Sequence, residues 1–157
     1  MQAAGFNQNG NYLTVQLKQH QNFGPSQIRL QVVSDKIIRV QATAEQSFRN
    51  KQSLIIVPQN SKVNYKVEEQ GDNLIITTAA MRAVMNEATG QITFYDLKDN
   101  VLLNEVAQGG KTFKPFTVPD REIGVDIAKV PEAQKHGWSW RALFNSPDNE
   151  AFYGLGQ

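Results

Sequence analysis

A chain of 157 residues with 16 Lys and Arg against 15 Asp and Glu carries a net charge of +1 and is long enough to bury one substantial core. Without a cluster of basic residues it has no phosphate-tracking surface, which sets nucleic acid aside as a partner. The longest apolar runs, such as Leu54 to Val57, are only about four residues and cannot span a bilayer, and no cysteine and only His20 and His136 leave no disulfide and no Cys/His zinc site.

The first residues, Met1-Gln2-Ala3-Ala4-Gly5, have neither a charged leader nor an apolar stretch, so no signal peptide is expected here. They read either as an initiator Met placed before the mature start of an exported protein or as a cytoplasmic start. A periplasmic or secreted location is the expectation.

From Tyr12 the chain alternates. Leu13, Val15 and Leu17 share one face, then Ile28, Leu30 and Val32, then Ile38, Val40 and Ala42, with Arg29, Gln31, Arg39 and Gln41 opposite. Period-two alternation puts one face of each strand into a core and the other into solvent. Gly24-Pro25-Ser26 and Ser34-Asp35-Lys36 supply turns between these strands. Leu54 to Val57, ended by Pro58, predicts a buried or edge strand. Val63, Tyr65 and Val67 alternate again, Gln70 to Asn73 turns, and Leu74 to Thr78 returns.

Ala80 to Asn86 holds good helix formers, yet Met81, Ala83 and Met85 fall on one face by alternation, which predicts a strand. Glu87 to Gly90 and Lys98 to Asn100 are turns flanking a strand that carries Ile92 and Phe94, and Val101 to Leu103 follows. The pattern then weakens. Gln108 to Lys111 reads as a loop, Thr112 to Pro119 is broken by two prolines, and Ile123, Val125 and Ile127 predict another strand. Val130 to Gly137 holds one helical turn at most, with His136 in a loop. Ten or eleven short strands with turns every 8 to 12 residues indicate an all-β, antiparallel β-sandwich.

Chemistry-bearing motifs are sparse. Glycoside hydrolysis uses two carboxylates about 5 to 9.5 Å apart, and Asp120, Glu122, Asp126 and Asp148 stand in no recognisable motif. Asp126, between Val125 and Ile127, is expected to face solvent from a strand. No serine has a nucleophile-elbow setting, and Gly109-Gly110-Lys111-Thr112 lacks the first glycine of a phosphate loop. The catalytic, cofactor and metal assignments are therefore all empty.

Trp138, Trp140, Ala142 and Phe144 are spaced by two and share one strand face, which argues that they pack inward together. The alternative makes Trp138 and Trp140 sugar-contact residues, stacking on pyranose rings. Asn145 to Asn149 then turn the chain, and Tyr153-Gly154-Leu155-Gly156-Gln157 places two glycines in four residues. A domain seldom ends on such a device, so the chain reads as the front of a longer one.

The run from Phe144 through Tyr153-Gly154-Leu155-Gly156-Gln157 resembles the segment that closes the N-terminal β-sandwich in glycoside hydrolase family 31, and Ala83 to Asp96 with Asn100 to Glu105 resembles an internal strand unit of the same family. Gln157 departs from the glutamate common at that place, and in this it resembles the α-xylosidase-type members. The resemblance implies a galactose-mutarotase-like sandwich spanning 1–157 as a single N-terminal domain, ending at the junction to a catalytic (β/α)8 barrel that the chain does not contain. It implies a parent that is a retaining, exo-acting α-glycosidase, an α-xylosidase or α-glucosidase acting on an α-linked oligosaccharide without a cofactor. This part would pack on the barrel, help shape substrate entry and be inactive alone. The rival expectation is a free-standing carbohydrate-binding module.

Overall fold

The computed structural model describes residues 5–17, 22–48, 62–108, 110–118, 126–148 and 150. Strands β1 (Phe6–Asn9), β2 (Tyr12–Gln16), β3 (Gln27–Ser34) and β4 (Ile37–Thr43) form one antiparallel sheet in that order. A second sheet runs β5 (Lys66–Gln70), β6 (Asn73–Thr77), β7 (Met81–Asn86), β8 (Ile92–Asp96), β9 (Val101–Asn104), again in chain order. Beyond them β10 (Lys111–Thr117) pairs with β11 (His136–Ala142) as a two-stranded ribbon. The domain is all-β and antiparallel, consistent with a galactose-mutarotase-like β-sandwich.

The alternation read from the sequence is the alternation of burial. Leu13 and Val15 of β2 and Ile28, Leu30 and Val32 of β3 are fully buried, and they meet Leu74, Ile76, Met85 and Ile92 from the second sheet in one cluster. Each such side chain contributes about 1.5–3 kcal/mol by leaving water. Ile38, Val40 and Ala42 pack on the margin of this cluster from the edge strand β4. Met81, Ala83 and Met85 lie on the inner face of β7, so cross-strand packing overrides the helix preference of their segment.

Two turns explain the register of the second sheet. Gly71, at φ +62°, closes the β5–β6 hairpin in a conformation that glycine adopts without strain. Between β8 and β9, the Asp96 carboxylate accepts hydrogen bonds from Lys98 N at 2.8 Å, Asn100 N at 2.9 Å and Asn100 Nδ2 at 2.7 Å.

The weakly patterned third of the chain departs from expectation. The strand predicted over Ile123 to Ile127 is not formed at its end: Ile127–Lys129 is a 3₁₀ turn closed by Lys129 N to Asp126 O and Val130 N to Ile127 O. Ile123, Val125 and the strand predicted at Leu54 to Val57 lie outside the described residues. Lys111 opens β10 rather than ending a loop, and β10 continues through Pro115, because a strand of a two-stranded ribbon keeps one open edge where a missing N–H costs no ladder bond. His136 likewise is the first residue of β11, paired with Thr117, not a loop residue. A single helical turn, Glu132–Lys135, precedes it, as predicted. The mostly polar β1 was not anticipated. Its pairing with β2 places Phe6 against the core cluster, and Phe6 is the only apolar residue of the strand.

Candidate functional site

The ribbon presents two faces of different chemistry. Directly paired residues share a face, so Phe113 with Trp140, Pro115 with Trp138 and Thr117 with His136 form one side. Thr112 with Arg141 and Lys114 with Ser139 form the other. The first side, with Phe48, the end of β4 from Gln41 to Thr43 and the following Ala44 and Glu45, encloses an open groove of about 920 Å³.

Within that groove Trp138 and Trp140 are 46% and 59% exposed. The expectation that they pack inward with Ala142 and Phe144 is therefore corrected. Inward packing needs a second layer over the strand face, and among the described residues neither sheet extends over this part of the ribbon. Phe113, nearer the ribbon's base, is buried, and Ala142 is half-buried. Phe144 falls beyond β11, in an isolated bridge with Glu105, and is 46% exposed.

The groove's opposite wall is held by a cation between two rings. The Arg29 guanidinium lies 4.3 Å from the Phe48 ring centre and 5.1 Å from that of Tyr12, while its Nε donates to Gln41 Oε1 at 3.1 Å. Such cation–π contacts contribute about 0.5–1 kcal/mol each at exposed sites. At the ribbon's tip both His136 ring nitrogens are engaged, one with Thr117 Oγ1 at 3.2 Å and one with Glu132 Oε1 at 3.0 Å. Lys135 and His136 hold the Glu132 carboxyl below the usual carboxylate range.

Glu45 is the single carboxylate residue among the described residues lining the groove, whereas glycoside hydrolysis uses a facing pair. Asp126 is exposed, as expected, but from the residue before the 3₁₀ turn and not from a strand, and it pairs with Lys129 at 3.0 Å. Asp148 is exposed. Asp120 and Glu122 lie outside the described residues. Among the described residues no group of three or more His, Cys, Asp or Glu could hold a metal ion, and no helix is long and apolar enough to cross a membrane.

A buried ion pair sits at the ribbon's base, and no motif in the sequence marked it. Lys111, the first residue of β10, and Glu105, just past β9, are 6% and 3% exposed. Lys111 Nζ donates to Glu105 Oε2 and, at 3.0 Å, to Gly90 O, while Ile92 N donates to the same Glu105 oxygen at 2.9 Å. Burial pulls the Lys111 ammonium below its ordinary pKa, against the opposing attraction of Glu105.

Solved structures resemble this chain over different shares of its length. A crystal structure of a family 31 α-xylosidase from Xanthomonas citri matches 96% of the chain at 33% identity with a TM-score of 0.75. A family 31 dextranase from Flavobacterium johnsoniae, complexed with glucose, matches 74% at 22% identity with a TM-score of 0.56, which speaks for the fold alone. A family 31 α-xylosidase from a soil metagenome, complexed with xylose, matches 64% at 24% identity with a TM-score of 0.50. The chain spans only 14% of the length of each xylosidase and 16% of the dextranase. Residues 27–157 match the sequence profile described as the glycosyl hydrolase 31 N-terminal galactose mutarotase-like domain, and the chain belongs to that family.

Proposed function

We propose that this chain is the non-catalytic N-terminal domain of a retaining, exo-acting α-glycosidase, of α-xylosidase or α-glucosidase type. It packs on the catalytic barrel of the same parent polypeptide and helps shape the entrance for an α-linked oligosaccharide. The observation that carries this reading is the match of 96% of the chain, at 33% identity, to 14% of a family 31 α-xylosidase. Glu45, the single groove carboxylate among the described residues, fits a part that leaves bond cleavage to another domain. The exposed aromatic face of the ribbon fits a surface made to be covered, since large exposed apolar patches mark interaction sites.

Two experiments test the division of labour. The purified chain should give no turnover of p-nitrophenyl α-xyloside or α-glucoside, and turnover that survives exclusion of contaminating enzyme would defeat the proposal. An antibody raised against the chain should detect, in an extract of the source organism, a band several times larger than 17.6 kDa. Fractionation of the same extract tests a periplasmic or secreted location.

The exposure of Trp138 and Trp140 favours one second reading, a carbohydrate-binding module that stacks sugar rings on this face. Titration of the chain with xylo- and gluco-oligosaccharides, followed by tryptophan fluorescence, separates the readings. Saturable quenching abolished by Trp140→Ala supports the module, and a flat titration removes it.

A further inference from the structure

The ribbon is, among the described residues, an arm held at one end. Among the described residues, its backbone hydrogen bonds to the rest of the domain gather near Lys111 and Ala142: Phe113 N donates to Phe23 O at 2.7 Å, Val106 N to Leu143 O at 3.2 Å and Asn145 N to Asn104 O at 2.8 Å. Burial follows the same gradient. Lys111 and Phe113 are buried, whereas residues 114–117 of β10 and 136–141 of β11 are exposed.

At this base, Glu105 touches three separate pieces of chain, around Gln91–Ile92, at Lys111 and at Asn145. Its backbone N donates to Ile92 O at 3.1 Å, and its carboxylate accepts from Ile92 N and from Lys111 Nζ. Its backbone O accepts from Gln91 Nε2 at 2.8 Å and from Asn145 Nδ2 at 3.3 Å. Lys111 in turn reaches Gly90 O in the β7–β8 turn. The adjoining cavity is about 10 Å³, at the lower limit of what admits one water. A buried pair in so dry a setting adds little net stability over apolar residues of the same volume. What it does supply is direction, because the ammonium and the carboxylate are satisfied in one relative placement of their strands.

We infer that the Lys111–Glu105 pair is a latch that fixes the angle of the β10–β11 arm against the sandwich, and so sets the width of the groove between that arm and β4. The inference concerns this chain alone and stands whether or not the proposed function does. The pair's location supports it: Lys111 begins the arm, Glu105, just past β9, bridges Phe144 in the arm's return segment, and the groove-facing residues Phe113, Pro115 and Trp138 follow along the arm from this point.

Because the chain has no cysteine, a pair of spin labels can be placed cleanly. Labels at Gln46→Cys, beside β4, and Ser139→Cys, on the arm, report the groove width by electron–electron distance measurement. The parent pair should show one narrow distribution. Lys111→Met, which keeps the stem and removes the cation, should broaden it. It should also speed amide exchange over residues 112–117 by about a hundredfold, as expected when one partner of a buried pair is lost. Exchange at Ile28 to Val32 should change by less than about twofold, since the core is opened by a different, global event.

The double variant Glu105→Leu/Lys111→Met separates a latch from mere volume. It leaves no buried charge, so the fold should persist even if the single variant does not. A broadened distribution with core protection intact supports the latch. A distribution as narrow as the parent's shows that apolar packing alone holds the arm, and overturns it.

Discussion

Trp140 stands directly across the ribbon from Phe113, yet Phe113 is 9% exposed and Trp140 is 59% exposed. Two side chains on one face, in register, thus have opposite environments. The difference comes from strand order. Phe113 lies on the strand that enters from Lys111 and the sandwich, while Trp140 lies on the returning strand, over which neither sheet extends among the described residues.

The only two tryptophans of the chain are both in this arm, so tryptophan emission, excited selectively over tyrosine, reports the arm. The native emission should be red-shifted and readily quenched by acrylamide. A blue-shifted, protected spectrum from the isolated chain would show the face to be covered.

Stability should follow burial and ignore side-chain size. Leu30→Ala, in the fully buried cluster, should cost about 2–5 kcal/mol. Trp140→Ala removes a much larger side chain but should stay within about 0.5 kcal/mol of the parent, as surface changes do. Urea denaturation followed by far-ultraviolet circular dichroism decides between them. A tryptophan loss as large as the leucine loss would contradict the described packing.

Gly90 is fixed by two constraints at once. Its φ is +74°, and a Cβ there would lie 2.7 Å from Ile28 Cδ1 and 3.0 Å from Leu17 Cδ1. Gly90→Ala should therefore destabilise by more than about 1 kcal/mol, combining backbone strain with overpacking of a buried isoleucine. An unchanged thermal midpoint would mean that the β7–β8 turn relaxes freely.

The Asp96 turn should show its own pH dependence. Hydrogen bonds from the Asn100 side chain, then the Asn100 and Lys98 backbone, hold its carboxyl below the ordinary value. A depressed folded-state pKa makes its contribution fully present above the unfolded value of about 3.9, and lost as pH falls through the lower folded value. Asp96→Ala should thus lower the urea midpoint at pH 7, and its gap from the parent should close towards pH 2. A gap that stays constant over that range would count against the assignment.

The sandwich was legible because its strands alternate cleanly. Leu13, Val15, Ile28, Leu30, Ile76 and Met85 each sit at the period-two positions that the buried face requires, and even the helix-forming segment Met81–Asn86 obeyed that spacing. Where a strand carries a proline, as at Pro115, or too few apolar residues, as in Phe6–Asn9, the local signal failed and pairing with a neighbour decided. The family was legible from a short motif near the end of the chain, which the match over residues 27–157 bears out.

Periodicity thus determined which residues share a face, and so the all-β antiparallel class, since alternation is a property of the extended backbone alone. It could not determine whether a shared face is covered. Trp138 and Trp140 alternate as well as any core strand, yet burial depends on whether a second layer arrives over them, which is set by the order and reach of other strands. The groove unites Phe48, Phe113 and Trp140, and the latch unites Gly90, Glu105 and Lys111. Only the tertiary structure decided these, because each joins residues from separate hairpins that no local spacing relates.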